Sequence, residues 1–304
     1  MNKRTFSIKE LIKIFDLHSF EYEILGNKNL VFSNIKPVLE ADNESLVYID
    51  INRTDLGDLI NKTKAHFVIC DDKSYIDNKK KACYIISKNP KLLMLKINNS
   101  IFSKKIKYEI HPTAIISKAA KIHNKVYIGP NTVIGNCEIG EGTVIMGNCY
   151  FFDNSKIKKN VVINPGCIIG AEGVGHIKNE TDVLENFTHI GGVIINDNVE
   201  IFPNVTISKG TFGNTVIEKN TIIDAKVHIG HNCTIGSNTI IIANTVIGGS
   251  TKIGKNVWIS MGVNIIDNIS IGDNSNIGPG STIIQNLPEN TKTISKSTII
   301  LPQF

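Results

Sequence analysis

From Ile217 to Ile283 an isoleucine stands at every sixth position: Ile223, Ile229, Ile235, Ile241, Ile247, Ile253, Ile259, Ile265, Ile271 and Ile277 lie between them. A helix repeats its face every 3.6 residues and a strand every 2, so neither alone yields a period of six. Six fits a parallel β-helix with three flat faces per turn, each hexad supplying one short strand and one corner. Four residues after these guide positions come small or β-branched side chains, among them Thr221, Val227, Cys233, Thr239, Thr245 and Thr251. A narrow triangular prism needs such a second inward position. Glycine often follows the guide residue directly (Gly230, Gly236, Gly248, Gly254, Gly272, Gly278), which suits a strained corner backbone.

The same count runs back along the chain through Ile110, Ile116, Ile122, Ile128 and Ile134. After one five-residue step it continues through Ile139, Ile145, Phe151, Ile157, Ile163 and Ile169. At Gly170 the register breaks. The segment Ala171-Glu-Gly-Val-Gly-His176 to Gly192 is polar, glycine-rich and too long for a corner, so it is predicted to loop out, and loops on a rigid scaffold commonly carry function. The count resumes at Ile195, Ile201 and Ile207 and skips once more over Ser208 to Val216. About nine to ten turns are expected, which at roughly 4.8 Å per strand gives a prism about 45 Å long.

Residues 1 to 105 lack the pattern. Ser7 can cap a helix bearing Ile8, Leu11, Ile12 and Phe15, and Pro90 can open a second one bearing Leu92, Leu93, Leu95 and Ile97. Leu46-Val-Tyr-Ile, His66-Phe-Val-Ile-Cys and Ala82-Cys-Tyr-Ile-Ile read as strands. The chain is therefore expected to be mainly β: a small α/β domain over 1–105, a β-helix over 106–284 with an excursion at 170–192, and a tail over 285–304. Pro288 and Pro302 argue against a long helix in that tail.

Composition narrows the function classes only slightly. The net charge of +5 is spread among many lysines, with no basic tail for nucleic acid, and points at most to anionic small molecules. The six cysteines form no CxxC pair, and Cys149, Cys167 and Cys233 fall on the small interior position of their hexads. With no apolar signal core and no apolar run near the roughly 20 residues of a membrane span, a cytoplasmic protein is expected.

A left-handed parallel β-helix of hexads is the signature of the hexapeptide acyltransferases. Ile169-Gly-Ala-Glu-Gly-Val-Gly, His189-Ile-Gly-Gly-Val, Asn198-Val-Glu-Ile, Asp224 and Ile229-Gly-His-Asn232 together resemble the acylglucosamine N-acyltransferases of lipid A synthesis. The resemblance implies a homotrimer with sites between neighbouring prisms, moving a 3-hydroxyacyl group from a thioester to the amine of a nucleotide-linked sugar. It makes His231 the general base, with no metal and no tightly bound cofactor. Tyr48 and Asn52 loosely echo the family's nucleotide site, and Glu172 and His176 of the excursion join them as acceptor-binding candidates. Three departures shift the expected substrates: no helical C-terminal extension, no second histidine around Val263 to Ile271, and Glu172-Gly-Val-Gly where the family has Asp-Gly-Phe-Gly. They favour a relative that acylates a dTDP-4-amino-4,6-dideoxyhexose from coenzyme A, as in anthrose-type pathways. The UDP-acylglucosamine enzyme using acyl carrier protein is the alternative.

The residues support a site independently. Amide formation needs a base for the amine proton and donors for the oxyanion. His231 lies two residues after its guide, at a corner, and Gly249 lies eighteen residues on, one turn along the same face. Gly249 N–H would sit about one strand spacing away, as oxyanion donor. Asp224, one hexad earlier, could fix the imidazole tautomer, although consecutive hexads lie on different faces. Trp258 could contact a substrate or a neighbouring subunit. Two other functions fit the scaffold: a zinc hydratase, for which His228 and His231 are the only close histidine pair, and a silent assembly prism.

Overall fold

A computed structural model describes residues 4–49, 55–74, 76, 81–103 and 106–295. The chain divides into two units, Met1–Lys105 and Ile106–Phe304. In the first, helix α1 (Ile8–Leu17) begins at Ser7, whose N–H donates to Glu10 Oε2 at 2.8 Å and so closes a capping box. Leu11 and Phe15 are fully buried on its inner face. Helix α2 (Leu56–Lys62) has no counterpart in the sequence reading. Helix α3 (Pro90–Phe102) is capped by Asn89 Oδ1, which accepts from Leu92 N–H at 3.0 Å. Its inner face is Leu93, Met94 and Ile97, while Leu92 and Leu95 of the expected apolar set face outward. Between the helices lies a five-stranded sheet in the order Glu23–Gly26, Cys83–Ile86, Phe67–Cys70, Ser45–Tyr48, Asn34–Ile35. Its first pair is antiparallel and the others are parallel.

The second unit is the parallel β-helix. Among the described residues its three faces hold eight, nine and eight strands, nearly all of two residues. Strands 18 residues apart pair in register, as in Ile229 with Ile247 and Ile247 with Ile265. From Ile195 to Ile247 every guide isoleucine is fully buried. Removing each from water contributes about 1.5–3 kcal/mol, the main force holding the prism together. Most polar groups at the second inward position are satisfied: the hydroxyls of Thr221, Thr239 and Thr251 donate to Gly236 O, Gly254 O and Ile266 O at 3.1, 2.9 and 3.0 Å, while Thr215 Oγ1 has no partner among the described residues. Such a partner offsets the cost of burying a hydroxyl. The prism also runs past Ile283, because Leu287 bridges to Ile271 and Lys292 to Asn276.

The corners differ from expectation in which residue bends. Positive φ falls three residues after the guide, mostly on asparagine (Asn198, Asn220, Asn238, Asn256, Asn274, with φ of 55 to 60°); of the glycines directly after a guide only Gly170, at the break in the register, has it. Asparagine is the non-glycine residue best suited to this left-handed region. The glycines answer a different need: a Cβ at Gly236 would lie 2.3 Å from Gly254 O, and one at Gly248 2.4 Å from Asp267 N. They allow one turn to stack on the next. The asparagines also form a ladder, each Nδ2 donating to the next Oδ1 from Asn198 through Asn220, Asn238 and Asn256 to Asn274, at 3.0 to 3.3 Å.

Candidate active site

At one corner of the prism, residues two beyond the guides stack in the order Lys209, His231, Gly249, Asp267, as the pairing of Ile207, Ile229, Ile247 and Ile265 dictates, and a register shift after Ile169 sets Ala171 against Ser208. Both excursions leave the prism here. The first departs at Ala171, forms an antiparallel hairpin of His176–Lys178 with Leu184–Asn186, and returns at Gly192. The second, over Ser208 to Asn214, is laced to it: Ile190 N–H donates to Thr211 O at 2.8 Å and Gly210 N–H to Gly192 O at 3.1 Å. Lys209 Nζ lies 3.3 Å from Glu172 Oε1, and Lys209 N–H donates to Ala171 O at 2.9 Å. The root of the loop is thereby tied to the turn below His231.

His231 sits between two stretches of bare backbone. A Cβ on Gly249 would fall 2.7 Å from both Nε2 and Cε1 of His231, and one on Gly173 would fall 2.7 Å from Cδ2. Glycine is needed at both places because any side chain would displace the ring. The opposite edge of the ring is held by Asn232. Thr211 N–H donates to Asn232 Oδ1 at 2.7 Å, which fixes the amide orientation. Asn232 Nδ2 then donates to Thr211 Oγ1 and to His231 Nδ1, both at 3.0 Å. With Nδ1 an acceptor, neutral His231 carries its proton on Nε2. The general base that the resemblance implies would use the other tautomer, with the Asn232 contact to Nδ1 rearranged. Burial chiefly, and then the neighbouring His189, hold the His231 pKa below the ordinary imidazole value, while Asp267 pulls the other way.

The Gly249 N–H is a free donor at this corner. At some other corners the equivalent N–H is capped by a carboxylate, Asn136 by Asp153, Lys159 by Asp197 and Lys255 by Asp273, whereas at Gly147, Ser237 and Met261 it has no protein acceptor among the described residues. Among the described residues no protein acceptor takes the Gly249 N–H. Asp224, expected to orient His231, belongs instead to the capping class. Its Oδ1 accepts from Ala225 N–H at 2.7 Å and its Oδ2 from Ala243 N–H at 3.2 Å, both at a different corner. The face difference noted in the sequence is the reason.

His189 is 2% exposed and stands edge-to-face with His231, with ring centroids 5.2 Å apart. Its Nδ1 donates to Phe187 O at 3.0 Å, and its Nε2 has no partner among the described residues. Beside the two rings opens a cavity of about 500 Å³, walled by Val174, Ile177, Phe187 and Phe212. His176 lines the same cavity, whereas Glu172 is engaged with Lys209. His228 points from a flat face, its Nδ1 2.8 Å from Thr206 Oγ1, and Trp258 lies exposed with Nε1–H on Ser260 Oγ at 3.0 Å. In the first unit, Tyr48 lines a cavity of about 630 Å³ with Pro37, Val38, Ile49 and Leu59. Asn52 lies outside the described residues. The roles of Asn232, Thr211, Lys209 and Asp267 were missed in the sequence. Asn232 stood in the quoted Gly-His-Asn motif, and Lys209 and Asp267 follow from the same 18-residue arithmetic that found Gly249.

The bacterial transferase hexapeptide (six repeats) family matches residues 214–249 and 250–285, and the GMPPB C-terminal domain matches 110–217. UDP-3-O-acylglucosamine N-acyltransferase of Polynucleobacter asymbioticus is 25% identical over 66% of this chain and 65% of its own length. That of Coxiella burnetii is 31% identical over 64% of this chain and 61% of its own. The chain thus spans just under two thirds of these curated relatives. Among solved structures, UDP-N-acetylglucosamine O-acyltransferase from Moraxella catarrhalis superposes with a TM-score of 0.53 at 29% identity, covering 58% of this chain and 67% of that one. The Bacteroides fragilis UDP-N-acetylglucosamine acyltransferase gives 0.54 at 30% identity, over 59% and 69%. No described helix is long and apolar enough to cross a membrane. Repeat, fold and sequence agree: this is a left-handed β-helix of hexapeptide repeats that resembles the acylglucosamine N-acyltransferases.

Proposed function

We propose that the chain is an N-acyltransferase that moves an acyl group from a thioester to the amine of a nucleotide-linked amino sugar at the His231 corner. One observation carries the reading: His231 Nε2 abuts the side-chain-free Gly249, whose N–H has no protein acceptor among the described residues. A ring nitrogen and a backbone donor side by side are what a developing acyl oxyanion requires. The apolar cavity of Phe187, Phe212, Ile177 and Val174 suits an acyl chain, and the Tyr48 cavity of the first unit suits a planar base.

The acceptor we favour is a UDP-linked acylated glucosamine, with the acyl carrier protein or coenzyme A as thioester carrier and a homotrimer as the working form. The named relatives support this choice over the dTDP-4-amino-4,6-dideoxyhexose reading. That second reading keeps one observation in its favour: the downstream turn contributes Asp267, not a histidine, to the catalytic corner. Free-thiol release should be followed with 3-hydroxyacyl carrier protein and with short coenzyme A thioesters, each paired with a UDP-linked acylglucosamine and a dTDP-linked 4-aminosugar. Turnover with the UDP acceptor, abolished in His231→Ala, is expected. Turnover confined to the dTDP acceptor would transfer the protein to the second reading, and no thiol release from any pair would reject acyl transfer.

A further inference from the structure

We propose that His189 is a specificity-determining residue whose Nε2 receives one alcohol hydroxyl of a substrate inside the cavity beside the His231 corner. The inference rests on the acyl transfer proposed above and adds what that site selects. The Nδ1 of His189 lies 3.0 Å from Phe187 O, and a carbonyl oxygen only accepts, so Nδ1 carries the proton. In the neutral ring Nε2 is then a bare acceptor. His189 is 2% exposed, yet no donor among the described residues reaches its Nε2. A buried acceptor left unpaired is costly, and a fold that keeps one needs a reason for it. The ring is also held in place. A Cβ on Gly175 would fall 2.7 Å from its Cε1, and His231 stands edge-to-face with it at 5.2 Å.

The walls decide the class of partner. Val174, Ile177, Phe187 and Phe212 are apolar, so a charged donor would lose its hydration there without a counter-charge. Of the polar groups lining the cavity, Asn232 and Thr211 are bonded to each other, and His176 is exposed. His189 Nε2 is left as the buried acceptor beside the reacting corner. An alcohol hydroxyl brings one O–H and no charge. With the two imidazoles 5.2 Å apart, a hydroxyl on His189 lies only a few bonds, each of about 1.5 Å, from the atoms that His231 touches. Two sources meet that condition: a hydroxyl near the carbonyl of the acyl chain, and a ring hydroxyl near the amine of the sugar. Both present the same chemistry to Nε2. A ketone in place of the hydroxyl sets one acceptor against another, so it is rejected more strongly than a plain methylene.

Thiol release by the full-length protein should be measured with 3-hydroxybutyryl, butyryl and acetoacetyl coenzyme A against one UDP-linked acylglucosamine. The same acceptor is then compared with its 4-deoxy analogue. In one of the two series the wild-type enzyme should prefer the hydroxyl compound by about 5- to 150-fold in kcat/KM, the range that one buried unpaired acceptor corresponds to. His189→Phe, which keeps a ring but offers no acceptor, should abolish that preference by slowing the hydroxyl compound alone. His189→Gln, whose amide can bond Phe187 O and still present an oxygen, should retain part of it. Collapse of the acyl preference names the acyl chain as the source, and collapse of the sugar preference names the sugar. A His189→Phe enzyme with its wild-type preferences intact overturns the inference. Nitrogen NMR of the wild-type protein, with one substrate at a time, needs no turnover. The His189 Nε2 resonance should move with 3-hydroxybutyryl coenzyme A and not with butyryl coenzyme A, or with the UDP-linked sugar and not with its 4-deoxy analogue. An Nε2 that is protonated in the free protein, or unmoved by both hydroxyl compounds, overturns the assignment. An Nε2 that responds while no substrate pair releases thiol would sink the proposed reaction and leave the hydroxyl site standing.

Discussion

Gly249 is the residue whose replacement isolates chemistry from stability. Its backbone is not in the left-handed region, so alanine is conformationally allowed there, and the atoms nearest the new Cβ are those of the His231 ring. Gly249→Ala should therefore leave the melting temperature nearly unchanged while lowering kcat/KM about 100-fold or more, since a reacting group displaced by an ångström costs on that order. A loss of activity that merely tracks a loss of folded protein would contradict this. His231 also offers a titration. Burial and His189 both disfavour its charged form, so protonation should begin only as pH falls below the ordinary imidazole range. His189→Gln removes one of those two causes, and the His231 midpoint followed by NMR should rise. An unmoved midpoint would leave burial as the whole explanation.

Between residue and molecule, the element that matters is the excursion that lays Gly173 against His231. It is anchored by the Lys209–Glu172 pair, whose lysine is only 17% exposed, and such a half-buried contact is worth more than a surface ion pair. Lys209→Met should free the loop root and lower kcat/KM several-fold with the prism intact. The reversed pair, Lys209→Glu with Glu172→Lys, should recover part of it; a double variant no better than Lys209→Met would show that the ion pair does not place the loop. This element also marks where sequence reading stopped. The six-residue count was legible because a prism interior accepts nothing but a guide side chain at fixed intervals, and it carried the stacking of Gly249 on His231. The departure at Gly170 was legible as a broken count, yet the hairpin, the ion pair and the Asn232 amide depend on side-chain directions that no spacing encodes. Asp224 was misplaced for the same reason: one hexad is one face away, and its carboxylate caps Ala225 and Ala243 instead. Asparagine at the bends went unnoticed because glycine is the commoner solution to positive φ, whereas here glycine is used for close stacking.

At the scale of the chain, the two units have separate cores and offer separate tests. Leu11, Phe15, Leu46, Phe67 and Leu93 close one, and the guide isoleucines close the other. In the proposed acyl transfer each is assigned a different part. The aromatic ring of Tyr48 beside Pro37 and Val38, in a cavity of about 630 Å³, has the size and chemistry to stack a nucleotide base, while the His231 corner has the groups for the acyl carbonyl. Stacking of this kind is worth about 1–3 kcal/mol per base, roughly a factor of 5 to 150 in binding. Tyr48→Ala should thus raise the KM for the nucleotide-linked acceptor by a factor in that range, with little change in kcat or in the KM for the acyl thioester. Tyr48→Phe should restore it, because the ring face and not the hydroxyl makes the contact. A Tyr48→Ala variant whose acceptor KM stays at the wild-type value would remove the first unit from substrate recognition and leave acceptor selection to the prism and its excursion.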